Sequence, residues 1–301
     1  MRGFPNGARV VFLGDSITHA NDYISRILDY YHENLSDRKV SFYNCGVSGG
    51  SLRTLLTIFD QDIAVHKPTH VVIMIGINDS ARNLLSDLPR GKERYDRMLW
   101  AFNAYKERLS TICQKLEALG CEIILCTQTP YDEYQESDVP TLKGGFALLS
   151  AYAEYVRNFA RERGYKLCDY HTYISMVAQT EAVIRPDRVH PNELGHYYMA
   201  KCFLEFQGYD IGEYKDIPEY LSEWRNRVSE LRDIHAAEYL IIQDYSLSTE
   251  ERISTIKEKL TAGTLDNYFT NLSKRYVVNK PKQKQIEEEI VELMEVELKK
   301  Q

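Results

Sequence analysis

The chain has 301 residues, an ordinary apolar content of 44% and a formal net charge of -7. The acidic balance argues against a nucleic-acid partner, whose phosphates call for a basic face, and leaves neutral substrates open. No stretch approaches the roughly 20 apolar residues that span a bilayer, so no membrane association is expected.

Residues 1–7 hold no apolar signal-peptide core before the first strand-like run, and a cytoplasmic location is expected. Cys45, Cys113, Cys121, Cys126, Cys168 and Cys202 form no Cys-x-x-Cys pair. They read as reduced, buried thiols and not as disulfides or metal ligands.

Arg9 to Leu13 reads as a first buried strand: β-branched and aromatic, bounded by turn-forming residues, and too short for a helix. It ends in Gly14-Asp15-Ser16. Asp22 to Leu35 follows with Tyr23, Ile24, Ile27, Leu28 and Tyr31 at helical spacing. Val40 to Tyr43 is a second strand and Ser51 to Val65 a helix. His70 to Ile75 is the near-continuous apolar run of a central parallel strand.

Tyr95 to Leu119 is the most periodic segment, and Gly120 sits where a helix C-terminal glycine belongs. Glu122 to Cys126 is a fourth strand. Phe146 to Arg163 is a helix closed by Gly164, Tyr165 to Cys168 a fifth strand, and Asn192 to Phe206 a helix. Alternating strands and helices predict a parallel sheet covered on both faces.

From about Pro218 strand patterns give way to charged helical ones. Pro218 to Asp244 reads as one helix, Ser248-Thr249-Glu250-Glu251 opens another with capping chemistry, and Leu265 to Tyr276 is a third. Gln283 to Lys300 carries Ile286, Ile290, Leu293 and Val296 on one face. No partner for that stripe is evident in the chain, so self-association through these helices is expected. The predicted division is a catalytic domain over 1–210 and a helical extension over 211–301, read as a packed accessory bundle or an oligomerisation element.

Ser16 stands at the carboxyl end of the first strand, where open α/β sheets hold ligands. A nucleophile there needs a base and an oxyanion site. Asn44-Cys45-Gly46-Val47-Ser48-Gly49-Gly50 follows the second strand, and its glycines let backbone N–H groups approach a ligand. Gly76-Ile77-Asn78-Asp79 follows the third and offers a neutral carboxamide donor; Asp79 is expected to be structural. Asp187-Arg188-Val189-His190-Pro191 places an acid and an imidazole three residues apart before the last helix of this part.

In these four motifs, in this order, the chain resembles the SGNH (GDSL-type) serine hydrolases over residues 9 to about 207. The resemblance implies a flavodoxin-like three-layer α/β/α sandwich with no cofactor. It implies Ser16 as nucleophile, His190 as base and Asp187 as its orienting acid. The backbone N–H groups of Ser16 and Gly49 and the Asn78 side chain would form the oxyanion hole. The wording of the motifs is similar to carbohydrate acetyl esterases, which implies a small-molecule or oligosaccharide ester as substrate.

Two other readings stand beside this one: a lysophospholipase- or thioesterase-like acylhydrolase, and a non-catalytic binding protein on the same fold. The helical extension has no counterpart in the minimal family fold. His190 and His196 lack the spacing of a zinc site. His19, His66 and His70 read as surface or packing residues. The aromatic stretch Thr129 to Tyr134 reads as a substrate-facing loop or a solvated turn.

Overall fold

The computed structural model describes residues 3–298. Strand β1 (Arg9–Gly14) runs into a single helical turn, α1 (Ser16–His19), and then helix α2 (Asp22–Asn34). Strand β2 (Ser41–Gly46), helix α3 (Leu52–Thr57) and strand β3 (His70–Met74) follow. Helices α4 (Leu84–Asp87) and α5 (Lys92–Ala118) lead to β4 (Glu122–Cys126), α6 (Gly145–Arg163) and β5 (Lys166–Cys168). Helices α7 (Tyr170–Val177) and α8 (Glu193–Phe206) complete the α/β part. Helices α9 (Glu219–Ala237), α10 (Thr249–Thr261), α11 (Asn267–Asn279) and α12 (Gln283–Leu298) make up the carboxyl part.

The five strands form one parallel sheet in the order β2-β1-β3-β4-β5, the flavodoxin-like arrangement. Alternate residues of each strand face opposite sides. Val11, Leu13, Val71, Ile73, Ile123 and Leu125 pack with residues of α3, α5 and α6. Val10, Phe12, Val72, Met74, Ile124 and Cys126 pack with residues of α2, α7 and α8. Both faces are covered, which is why the strands read as unbroken apolar runs. No helix among the described residues is long and apolar enough to cross a membrane.

Four expectations need correction. The second strand continues to Gly46, because Gly14 pairs with Gly46 in the register of β1 on β2. The expected helix from Ser51 to Val65 stays regular only to Thr57. It then widens into a π-helical turn, Phe59–Ile63, which puts the Asp62 carboxylate into the interior. In α5 the first turns leave the body of the sheet, and Tyr95, Leu99 and Trp100 are exposed. The stripe on α12 is not left open. Ile286 is buried, and Ile290, Leu293 and Met294 pack on the core against α9. The basis for self-association through that stripe therefore disappears. The Val296 side chain and residues 299–300 lie outside the described residues.

The carboxyl helices join both apolar clusters. Leu221, Trp224 and Val228 of α9 belong to one, and Ile234, Ile256, Tyr276 and Ile286 to the other. The expected cap of α10 forms: Ser248 Oγ accepts from Glu251 N, and the Glu251 carboxylate accepts from Ser248 N. The junction with the sheet is ionic. Arg232 Nη1 and Nη2 donate to the two Asp62 oxygens at 2.9 and 2.6 Å, and Arg232 Nε donates to the Gly46 carbonyl at 3.0 Å. Burial pushes the Asp62 carboxyl up, but Arg232 and His235 outweigh it and hold the group well below the usual carboxylate range.

Asp79 shows the opposite balance. Burial raises its carboxyl to about 6, against the opposing bond from the Leu52 N–H.

Two outcomes follow for stability. Asp62→Ala leaves the Arg232 charge buried and alone, and should destabilise the chain by about 3–5 kcal/mol in urea titration. For Asp79 the folded state prefers the protonated acid. The stability it contributes is full below its unfolded value of 3.8 and lost as pH rises through about 6. Asp79→Asn should therefore gain on the parent between pH 4 and pH 7, by about 3 kcal/mol, read from paired melting curves.

Candidate active site

The site is built on the turn α1. Asp15 caps it: its buried carboxylate accepts from Ile17 N at 3.1 Å. The turn lies directly on the strand ends. A Cβ on Gly46 would stand 2.4 Å from His19 N, and one on Gly14 would stand 2.1 Å from Thr18 Oγ1. Ser16 is thereby held at the carboxyl edge of the sheet. Burial, the largest influence, pushes the Asp15 carboxyl up to about 6, while the Ile17 N–H and His190 oppose it.

The loop before α8 brings the imidazole to this serine. Asp187 Oδ1 accepts from Val189 N and His190 N, each at 2.9 Å. Its Oδ2 lies 2.8 Å from His190 Nδ1, and His190 Nε2 lies 2.7 Å from Ser16 Oγ. Partial burial pushes the Asp187 carboxyl up, yet the two backbone donors and the His190 ring hold it below its ordinary value. An ionised Asp187 fixes the proton on Nδ1, so Nε2 is free to accept from the serine hydroxyl. The loop is pinned from within by Arg188, whose buried guanidinium donates to the carbonyls of Gln135 at 2.8 Å and Val139 at 3.0 Å.

Strands β2 and β3 flank β1, so the loops after them border Ser16. Val47 to Gly50 form a tight turn closed by Gly50 N donating to Val47 O at 2.8 Å. Gly49 takes φ +71° there, a conformation that costs a side-chain-bearing residue about 1 kcal/mol or more. Asn78 is exposed to the cleft, and its amide donates to the Gly50 carbonyl at 2.8 Å. This bond ties the β3 loop to the β2 loop. Asp79 turns away and accepts from Leu52 N with both oxygens at 3.2 Å, which fixes the start of α3.

The structure thus brings Ser16, His190 and Asp187 into one hydrogen-bonded chain, with Gly49 and Asn78 on neighbouring loops. A hydroxyl so placed can lose its proton to the imidazole, and amide donors nearby can meet a developing oxyanion. His196 is buried on α8, stacked against Tyr23, and burial lowers it to about 4. Among the described residues, the group close enough to share a metal is Cys45, Asp62 and His66, and both Asp62 oxygens there are held by Arg232. The loop after β4 only half meets its expectation. Tyr131 is a core residue whose hydroxyl accepts from Leu142 N, whereas Tyr134 is exposed.

Three contacts at the site were not legible in the sequence. His19 is buried and lies 3.1 Å from Asp233 of α9, Tyr268 of α11 donates to the Ser48 carbonyl at 3.1 Å, and Arg188 anchors the Asp132–Val139 loop. The partners are 49 to 220 residues apart, and no local pattern marks such pairs.

The GDSL-like Lipase/Acylhydrolase family model matches residues 12–198. The acetylxylan esterase of Geobacillus stearothermophilus is 28% identical over 222 residues, 68% of this chain and 96% of that protein. The crystal structure of Axe2, an acetylxylan esterase from the same organism, covers 71% of this chain and 100% of its own at 27% identity and a TM-score of 0.59. The structure of BT4096, a gut microbial diltiazem-metabolizing enzyme, is only 16% identical, but covers 100% of this chain and 95% of its own with a TM-score of 0.82. The carboxyl helices therefore have a counterpart in a solved fold. With the family model spanning more than half the chain over this site, the chain belongs to the GDSL-like lipase/acylhydrolase family and is an ester hydrolase.

Proposed function

We propose that the chain is a cofactor-free serine esterase that removes short acyl groups, acetyl foremost, from carbohydrates. The observation that carries this reading is the unbroken run Ser16 Oγ, His190 Nε2, His190 Nδ1, Asp187 Oδ2, with spacings of 2.7 and 2.8 Å. Ser16 Oγ attacks the ester carbonyl as His190 takes its proton. The Ser16 and Gly49 N–H groups and the Asn78 amide hold the oxyanion. The alcohol leaves with the proton from His190, and water, activated by the same imidazole, hydrolyses the acyl-serine. Asp187 keeps the imidazole in the required tautomer and stabilises its cation.

The acetyl and carbohydrate preference is supported by the acetylxylan esterase relatives. Solved variants of Axe2 described as catalytic mutants replace a serine, an aspartate or a histidine by alanine, the same three residue types. Residues 1–210 hold the reacting groups in this reading, and residues 211–301 form a helical extension packed on them. Six free cysteines, five of them buried, fit a reducing compartment such as the cytoplasm.

Ser16→Ala should lower turnover of p-nitrophenyl acetate on the order of a millionfold. Asp187→Asn should lower kcat by about 10³- to 10⁴-fold with the melting temperature nearly unchanged. Across a chain-length series acetate esters should be cleaved fastest. Faster cleavage of octanoate would mark a lysophospholipase- or thioesterase-like acylhydrolase instead. Acetate release from acetylated xylo-oligosaccharides tests the carbohydrate.

A further inference from the structure

The loop that carries Gly49 is held in part from the carboxyl helices. At its start, the Gly46 carbonyl accepts from Arg232 Nε of α9 at 3.0 Å. Two residues on, Ser48 N donates to His19 Nδ1 at 3.4 Å, and the Ser48 carbonyl accepts from the Tyr268 hydroxyl of α11 at 3.1 Å. His19 Nε2 lies 3.1 Å from Asp233 Oδ1, and both side chains are 8% exposed. Asp233 is in turn paired with Arg275 of α11.

The chemistry of this chain of contacts is directional. Asp233 is held ionised: burial pushes it up, but His19 and Arg275 outweigh that. An ionised acid on Nε2 keeps the His19 proton there and leaves Nδ1 as the acceptor that Ser48 N–H requires. His19 is also the last residue of the turn that begins with Ser16. One imidazole therefore fastens the nucleophile's turn to the neighbouring loop, and a helix more than 200 residues away sets its tautomer.

We propose that His19, Asp233 and Tyr268 are positioning residues that orient the Gly49 N–H toward the oxyanion, which makes the carboxyl helices part of the catalytic unit. The inference rests on the reading of Gly49 as an oxyanion donor. Gly49 itself is at positive φ, and nothing lies within 4 Å of its would-be Cβ. Its orientation is therefore set by Ser48 on one side and the Gly50 bonds on the other. With Ser48 released on both its N–H and its carbonyl, the turn can rotate and the donor swings off the position of developing charge.

The test uses the full chain with Tyr268→Phe, Asp233→Asn and the pair combined. Tyr268 is partly exposed, so removing its hydroxyl leaves the fold intact, and melting curves check this. Each single variant should lower kcat on p-nitrophenyl acetate about tenfold, with KM within about twofold. The double variant should lose less than the product of the two, because both act on one loop. An alkylboronic acid, which forms a tetrahedral anion on Ser16, should lose affinity in step with kcat/KM.

Unchanged kcat in Tyr268→Phe and Asp233→Asn overturns the proposal. So does a loss confined to KM, or boronate affinity that stays at the parent value while kcat falls. Ser16→Ala separates the two levels. If it is inactive while the loop variants behave as the parent, only this inference fails; if it remains active, the serine reaction itself fails.

Discussion

A single helical turn lies in direct contact with the ends of two parallel strands, and the active face is arranged around that approach. Gly14 and Gly46 have no side chains to interpose. A methyl group at either position would collide with Thr18 or with the His19 backbone. The turn would lift, and Ser16 would move off His190. Asn44 reinforces the contact: its amide donates to the Thr18 carbonyl at 2.7 Å, and its oxygen accepts from Gly46 N at 2.8 Å. The constraint is steric and short-ranged, so the nucleophile is fixed by backbone and not by a mobile loop.

Four acids around this turn divide by their surroundings. Asp187 and Asp233 each face an imidazole and further donors, and both are held ionised. Asp15 and Asp79 are buried and face no imidazole or guanidinium in hydrogen-bond contact, so burial dominates over their backbone N–H donors and raises them to about 6. The two also repel each other, which adds to the rise at Asp79. The acids that orient histidines are thus held below the ordinary carboxylate range, while the acids that cap helices are raised above it.

The carboxyl helices solve a problem that β2 creates. It is the edge strand of the sheet, and an open edge beside an active site invites pairing with other chains. Helix α9 packs against its carboxyl end, where Arg232 answers the Gly46 carbonyl while meeting Asp62 in an ion pair with 3% side-chain exposure on each partner. A buried pair of this kind is weak evidence of stability, although either charge left alone is costly. The helix that carries Arg232 also brings Asp233 to His19, and α11 brings Tyr268 to Ser48.

The sequence by itself determined the elements, the parallel α/β class and the four loops that hold the polar residues around Ser16. Strand runs, helical stripes and glycine or proline stops are short-range signals, and each is written within some ten residues. It also placed Asp187 three residues before His190, a separation that one turn can close. The tertiary structure alone decided which distant groups share a hydrogen bond. His19 read as a surface or packing residue because nothing near it in the chain marks a partner; that partner, Asp233, lies on a helix that looks merely charged. The stripe on α12 read as unpartnered because its counterpart, α9, carries a pattern that only three-dimensional packing completes. Periodicity tells which face of a helix is apolar, but not what that face meets, since the meeting depends on strand order and on ion pairs between residues 170 or more apart.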